Sequence, residues 1–320
     1  MADISRRNLI DTELESLLQP YPGWETEWIH LGPGPASLQG VRVACGTGTF
    51  AAIRTSSAGI LRGTTARDSV GLIASSSATA SPRSHAHPLG GDVCLLPGPA
   101  AALDLYLPAG GAVMILGIPA DSPDADAGAT GETARCRTLD AEKGALLSQC
   151  MESLEQIRVE PSSSPIVRDA QRQLRDHMKT LTPILYREAG SQALPERAPL
   201  QRHLAVIRAC AFVDAHLRAP IALMDLCEAA GVSTRALEYG FRDFYGLGPM
   251  AYVRNLRLCR VRHDLLDPNR SDHSVSGAAR RWSFTHMGQF SHDYRALFGE
   301  MPSRTLAVHQ RAAKATGPAS

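Results

Sequence analysis

Residues 223–246 read LMDLCEAAGVSTRALEYGFRDFYG, and residues 274–303 read SVSGAARRWSFTHMGQFSHDYRALFGEMPS. In the first stretch Leu223, Leu226, Ala230, Val232, Leu237 and Phe241 recur near helical spacing, with a break at Gly231-Val232-Ser233. Glycine enters left-handed backbone without a Cβ clash, and a serine hydroxyl caps the helix that follows, so the pattern predicts helix, tight turn, helix. In the second stretch Val275, Ala278, Ala279 and Trp282 form one apolar stripe, and Phe284, Phe290, Tyr294 and Phe298 the next. The same grammar thus occurs twice, about 50 residues apart. Between the two lies PMAYVRNLRLCRVRHDLL, residues 249–266, with Val253, Leu256, Leu258, Val261 and Leu265 on one face behind Pro249, a first-turn proline.

A helix of about 18 residues is ~27 Å long at 1.5 Å per residue. That length suits a spacer between two helix-turn-helix units entering successive major grooves of a duplex, about 34 Å apart. Residues 200–310 resemble the DNA-binding domain of the AraC/XylS transcriptional regulators. The resemblance is carried by DLCEAAGVSTRALEYGF, by GLGPMAYVRNLRL and above all by FTHMGQFSHDYRALFGEMPSRTL. Within that family the run MGQFSHDYRALFGEMPS is most similar to the subgroup of the ethanolamine-utilisation regulator. One position departs from the family: glycine usually precedes the phenylalanine of the second turn, and here it is Ser283. If that position has a positive φ, a residue other than glycine costs on the order of 1 kcal/mol.

Charge follows the motif. The chain carries a net charge of only +1, yet residues 1–199 hold 17 Lys+Arg against 22 Asp+Glu, whereas residues 200–320 hold 16 against 10, a net +6. Fifteen of those sixteen are arginines, whose planar fork matches phosphate and guanine edges. A +6 domain can be merely soluble, so the motif carries the inference and the charge only agrees with it.

Helix geometry and the resemblance together select the candidate contacts. In STRALEYGFRDF, Leu237 and Phe241 face inward and Thr234, Arg235, Glu238, Tyr239 and Arg242 face out. The resemblance places base reading on Arg235, Glu238 and Tyr239: Arg235 can fork onto guanine, and Glu238 can accept from cytosine N4. In THMGQFSHDYR, Met287, Phe290 and Tyr294 face inward, leaving His286, Gln289, His292 and Asp293 exposed. Gln289 can pair with adenine, and His292 can meet a base edge or a phosphate. Arg242, Arg280, Arg281 and Arg295 are assigned to phosphates, and Ser233 and Thr285 to helix N-termini whose N–H groups also meet phosphate. For each residue the plain alternative is a solvated helix face.

The remaining residues, 1–189, need a core of their own, with the polar, proline-bearing stretch at 190–199 as the linker. Short apolar runs over about 38–120, separated by Gly, Pro, Ser and Asp, predict many short strands, and two amphipathic helices follow over about 140–189. The fold class expected is therefore two-domain α+β: a β-rich cupin-like barrel with two trailing helices, then an all-α double helix-turn-helix domain over 200–310 and a flexible tail at 311–320. The resemblance implies that the barrel senses a small molecule and that the helices dimerise; the helices can equally be a lid on their own core.

Other chemistry in the first half is thin. His85 and His87, if on one strand, would point the same way as a metal pair does, but Asp92 is the first carboxylate after them and His30 the only other histidine before the helices. No metal and no cofactor is expected. Trp24, Trp28 and Tyr106 are candidates to line an effector pocket, against the plainer reading as core. Seven cysteines without a C-x-x-C pair give neither a zinc ribbon nor a disulfide framework, and Cys227 and Cys259 fall in apolar helical register. The start MADISRRNLIDTELESLL has neither a signal peptide's pattern nor a span's length of apolar residues, so a cytoplasmic location is expected. The reading is a small-molecule-responsive, sequence-specific transcription regulator, an activator rather than an enzyme. Its expected partners are double-stranded DNA, RNA polymerase, an unidentified effector and a second copy of the chain, with no membrane. The alternatives are a constitutive regulator whose first half only dimerises and a metal-dependent cupin enzyme fused to a DNA-binding domain.

Overall fold

The computed structural model describes residues 4–10, 22–45, 48–75, 81–84, 87–89, 93–120, 135–138, 141–161, 163–187, 201–267 and 274–307. The chain divides into two compact units: residues 1–28 with 37–197, and residues 29–36 with 198–320. The linker expected at 190–199 and the tail at 311–320 lie outside the described residues.

The first unit is built on two antiparallel sheets. Seven strands form one, in the order β1 (Ile4–Ile10), β3 (Ser37–Cys45), β4 (Gly48–Thr55), β11 (Ala112–Pro119), β6 (Ser69–Ala74), β9 (Val93–Leu96), β12 (Arg135–Thr138). Five form the other, in the order β2 (Glu25–His30), β5 (Gly59–Thr64), β10 (Ala102–Leu107), β7 (Arg83–Ser84), β8 (His87–Pro88). The strands therefore reach beyond the expected 38–120, to Ile4 on one side and Thr138 on the other. Both additions at the ends of the larger sheet are edge strands. Their sequences, ISRRNLI and RCRT, carry charges that an edge tolerates and that hide the apolar signal of a strand.

The inner strands of the larger sheet are buried on both faces, which explains why β11 reads AVMILGIP, a nearly unbroken apolar run instead of an alternation. Ala51, Ile53, Val113 and Ile115 pack with Trp24, Leu103 and Leu105 into the core shared with the smaller sheet. Phe50, Leu72, Met114 and Leu116 pack on the opposite face, against α1 (Ala141–Val159) and α2 (Pro165–Arg187). From these helices come Leu147, Cys150, Leu154 and Ile157, then Val167, Ala170, Leu174 and Leu181, two stripes at spacings of three, four and seven. Full burial of such a side chain is worth about 1.5–3 kcal/mol, so the two stripes hold the helices to the sheet. Trp24 is a core residue: it is 1 % exposed, and its indole N–H donates to Ser69 Oγ at 2.7 Å. Its ring edge occupies the place where a Cβ on Gly71 would stand, 2.7 Å away, so that strand position has room only for glycine.

The second unit is helical: α3 (Gln201–His216), α4 (Leu223–Ala230), α5 (Thr234–Tyr245), α6 (Pro249–Leu266), α7 (Val275–Arg281) and α8 (Met287–Phe298). α6 starts with Gly248 as N-cap and Pro249 in the first turn, where proline's missing N–H costs nothing. Near its start it buries Tyr252, Val253 and Leu256, with Tyr252 against Phe241 and Tyr245 of α5 at ring separations of 5.5 and 5.0 Å. Further along it buries Leu258, Val261 and Leu265. α8 contributes Phe290, Tyr294 and Phe298, whose rings follow one another in tilted contact at 5.8 and 4.6 Å.

Candidate nucleic-acid interface

The first helix-turn-helix is α4, a turn, and α5. Gly231 takes φ 67°, left-handed backbone, and its N–H closes on the last turn of α4. Ser233 caps α5, its Oγ accepting from the Ala236 N–H at 3.3 Å. α5 buries Leu237, Gly240, Phe241, Phe244 and Tyr245, which leaves Thr234, Arg235, Tyr239 and Arg242 on the exposed face. Arg235 is engaged by no other described side chain. Glu238 differs: it pairs with Arg242 at 3.1 Å and is half-buried beside Gly248. Its carboxylate already faces a cation of its own helix, which weighs against the cytosine contact expected for it. Tyr239 lies under the Arg202 guanidinium at 5.5 Å, and the Thr234 hydroxyl accepts from the Cys227 thiol at 3.6 Å.

The second helix-turn-helix is α7, a turn, and α8. Ser274 caps α7 through the Gly277 N–H at 3.0 Å. The N-cap of α8 is His286, whose side chain makes no capping bond, so Thr285 stands one residue ahead of the helix terminus expected there. Gln289, His292 and Arg295 are exposed, as is Arg280 at the end of α7. Two expected roles fail on geometry. Arg281 turns to Asp264 of α6 at 2.6 Å with its side chain 23 % exposed, so it holds the domain together and is not a free phosphate ligand. Asp293, expected on the exposed face, is 14 % exposed and is approached by Gln289, His292 and Arg254.

Ser283 has φ 65° in the turn between α7 and α8, so the backbone there is left-handed although the residue is not glycine. Its hydroxyl donates to the Arg218 carbonyl, in the loop after α3, and the Arg218 guanidinium lies 4.9 Å over the Trp282 ring. The Trp282 N–H of the indole donates to Asp264 at 2.9 Å. Arg257 of α6 reaches the same loop, donating to the Leu217 carbonyl at 3.0 Å and the Ala219 carbonyl at 2.5 Å; burial lowers its pKa. The loop after α3 is thereby tied to the spine helix and to the second turn. Arg262 pairs with Glu300 at 2.8 Å and lies 4.8 Å over the Phe298 ring. Burial pushes the Tyr294 phenol up to about 12, against the opposing influence of Arg262. Sequence reasoning missed Asp264, Arg257 and Arg262; an acid in the apolar register of α6 was the one available signal.

Residues 29–36, IHLGPGPA, cluster with this helical unit. The Leu31 carbonyl accepts from Asn255 Nδ2 at 2.9 Å, and the Gly34 N–H donates to the Ala296 carbonyl at 2.9 Å. His30 is buried edge-on against Phe298 at 5.8 Å. Burial lowers its pKa to about 4, opposed by a hydrogen bond with the Gly32 backbone and assisted by Arg262. The Cys259 thiol donates to the His30 carbonyl at 3.6 Å, while Cys227 is buried.

In the first unit, a crevice of about 350 Å³ opens between α1 and strands β3, β4 and β11. Its walls include Gln39, Ala52, Arg54, Ala112, Met151 and Glu155. Arg158 holds Glu155 through two bonds of 2.5 and 2.9 Å and reaches Gln39 at 3.2 Å, and that hydrogen bonding lowers the Glu155 pKa. Trp28 packs at the edge of the core, and burial raises the Tyr106 pKa; neither lines this crevice. His87 of β8 pairs with Ser84 of β7, and His85 lies outside the described residues.

Residues 226–307 match the family model described as a helix-turn-helix domain. Over 103 residues the chain is 37 % identical to XylDLEGF operon transcriptional activator 2 of Pseudomonas putida, covering 32 % of this chain and 66 % of that protein. It is 32 % identical to a crystal structure of a probable AraC family transcriptional regulator from Rhodopseudomonas palustris CGA009, covering 33 % of this chain and 96 % of that one, with a TM-score of 0.31. The helical unit therefore carries a helix-turn-helix domain of the kind that the family model describes. A further relative, the probable thc operon regulatory protein of Rhodococcus erythropolis, is 34 % identical over 95 residues, 30 % of this chain and 29 % of its own length. The chain thus spans 66 % and 29 % of the lengths of these two curated relatives, through stretches of 103 and 95 residues respectively. The family-model match begins at Leu226, within α4, and runs past α8, so it takes in both helix-turn-helix units except the first turn of α4.

Proposed function

We propose that this chain is a sequence-specific DNA-binding transcription regulator that reads two adjacent major grooves. The observation that carries the reading is the pair of helix-turn-helix units on one spine, each presenting an exposed helix with arginine beside it. The net +6 of residues 200–320 supports it. Base reading rests on Arg235 and Tyr239 in α5 and on Gln289 and His292 in α8; Arg242, Arg280 and Arg295 hold phosphates, and the α5 N-terminus at Ser233 adds backbone N–H donors. Activation is the sign of regulation favoured by the name of the Pseudomonas putida relative. RNA polymerase is then a partner, residues 1–189 serve as a sensor and dimerisation domain, and the site of action is the cytoplasm. Among the described residues no helix is long and apolar enough to cross a membrane. The ethanolamine-type subgroup rests on the run at 287–303 alone, the relatives above being regulators of xyl and thc operons.

The crevice under α1 supports a small-molecule effector, since its volume falls within the range of about 300–1,000 Å³ usual for ligand sites. A constitutive regulator is the second reading, favoured by the apolar packing that fills the space between the two sheets. The test is selection of bound sequences from random duplexes by the full chain, with the affinity of the winner followed against salt. Enrichment of a two-part site with elements about one helical turn apart is expected, with log affinity falling linearly in log salt. Binding without enrichment would sink the two-groove reading. Full affinity without effector, and no rise in melting temperature with any compound screened, would favour the constitutive form.

A further inference from the structure

A carboxylate on a helix that faces phosphates is electrostatically out of place, and Asp293 sits on α8 two positions before the phosphate-facing Arg295. Its surroundings explain it. Oδ1 accepts from Gln289 Nε2 at 2.8 Å, one turn earlier on the same helix, and stands 3.5 Å from His292 Nδ1. Oδ2 faces Arg254 of α6 at 3.4 Å. The side chain is 14 % exposed, whereas Gln289 and His292, four and one positions before it, are exposed.

An ionised carboxylate only accepts hydrogen bonds, so the amide group of Gln289 has no choice of polarity: its NH₂ must face Asp293 and its Oε1 the other way. Without that partner the amide can rotate end for end at little cost, and would offer a base either a donor or an acceptor. We propose that Asp293 is a specificity-determining positioning residue: by pinning the Gln289 amide it makes the second helix-turn-helix select a base that carries an exocyclic amino group. Adenine N6 and cytosine N4 are the donors of that kind in the major groove, and adenine N7 can in addition accept the second N–H of the same amide. Guanine and thymine present acceptors at the equivalent place and are disfavoured. Arg254 neutralises the acid, and the acid itself contacts no base. The inference rests on the reading of α8 as a base-reading helix.

The experiment is a base-preference profile of the full chain across its selected site, for the natural protein and for Gln289→Ala, Asp293→Ala and Asp293→Asn. Gln289→Ala is expected to flatten one position, and the natural protein to prefer adenine or cytosine there by about tenfold, a typical value for one good side-chain–base contact. Asp293→Ala is expected to reduce that preference to below about threefold while leaving other positions unchanged. Asp293→Asn offers Gln289 either a carbonyl oxygen or an NH₂ group, so it no longer fixes the amide's polarity and is expected to lose the preference as Asp293→Ala does. A preference for guanine or thymine at that position would overturn the proposal. So would an Asp293→Ala profile equal to the natural one, or a loss spread evenly over all positions. If Gln289→Ala changes no position at all, the failure lies with base reading by α8.

Discussion

Replacing Ser283 separates two opposing effects at the second turn. The residue holds φ 65°, a conformation that costs an L-residue about 1–2 kcal/mol and glycine nearly nothing. Against this, its hydroxyl donates to the Arg218 carbonyl, a bond worth about 0.5–1.5 kcal/mol net. Ser283→Ala keeps the strain and loses the bond, so it is expected to destabilise the turn by about 1 kcal/mol. Ser283→Gly loses the bond and also relieves the strain, so it is expected to fall within about 0.5 kcal/mol of the natural protein. The reporters are the Trp282 and Phe284 backbone N–H groups, which both donate to the Ala279 carbonyl, at 3.2 and 3.0 Å, and close this turn. Native-state hydrogen exchange on the full chain should show them about fivefold less protected in the alanine variant, the factor that 1 kcal/mol represents. Glycine should restore most of the protection. Equal protection in serine and alanine would show that the Arg218 bond contributes nothing, and less protection in glycine than in alanine would refute the strain argument.

Arg235→Ala is expected to lose about 1–3 kcal/mol of discrimination at one base pair, whereas Arg295→Ala weakens binding to every sequence and lowers the salt slope by about one; competition binding on point-mutated operators measures both, and a uniform loss for Arg235→Ala would remove it from the base-reading set. His30 carries a proton in the folded chain only below about 4, but in the unfolded chain from its ordinary 6.5. Its contribution is therefore complete above 6.5 and lost as pH falls toward 4, in total about 3 kcal/mol. Urea unfolding of the helical unit at pH 7, 5.5 and 4.5 should show that slope, and His30→Leu should remove it. Asp264, with its side chain 5 % exposed, accepts from both Arg281 and Trp282. Its replacement by alanine is expected to cost about 3 kcal/mol, at the lower end for a broken buried pair because Arg281 remains partly hydrated; Asp264→Asn, which can keep the indole bond, should cost less in the same denaturation experiment.

Much of the helical unit was legible because its signals are local. Gly231, Ser233 and Pro249 act within one turn of where they stand, and the apolar spacing of α5, α6 and α8 records directly which face is buried. The outer strands of the larger sheet were hidden for the opposite reason: ISRRNLI becomes a strand by pairing with β3, and nothing in its own seven residues requires this. Among the candidate contacts, exposure was readable from periodicity for Arg235, Gln289, His292 and Arg295. Whether a polar side chain was free or already engaged was not. Glu238 and Arg242 are neighbours at i and i+4, so their pairing was open to inspection, but Arg281 with Asp264 and Asp293 with Arg254 meet across separate helices.

The sequence by itself determined the double helix-turn-helix, the basic balance of its half of the chain and the α+β class of the whole, since hydrophobic periodicity and turn chemistry are properties of short segments. Only the tertiary structure decided that residues 29–36 cluster with the helical unit, that Trp24 is core, that Ser283 adopts the left-handed turn with its hydroxyl on Arg218, and which charged groups are spent inside the fold. Each of these depends on which surfaces meet at distances of tens or hundreds of residues along the chain, and hydrogen bonds and ion pairs form only where that packing brings donor and acceptor within about 3 Å.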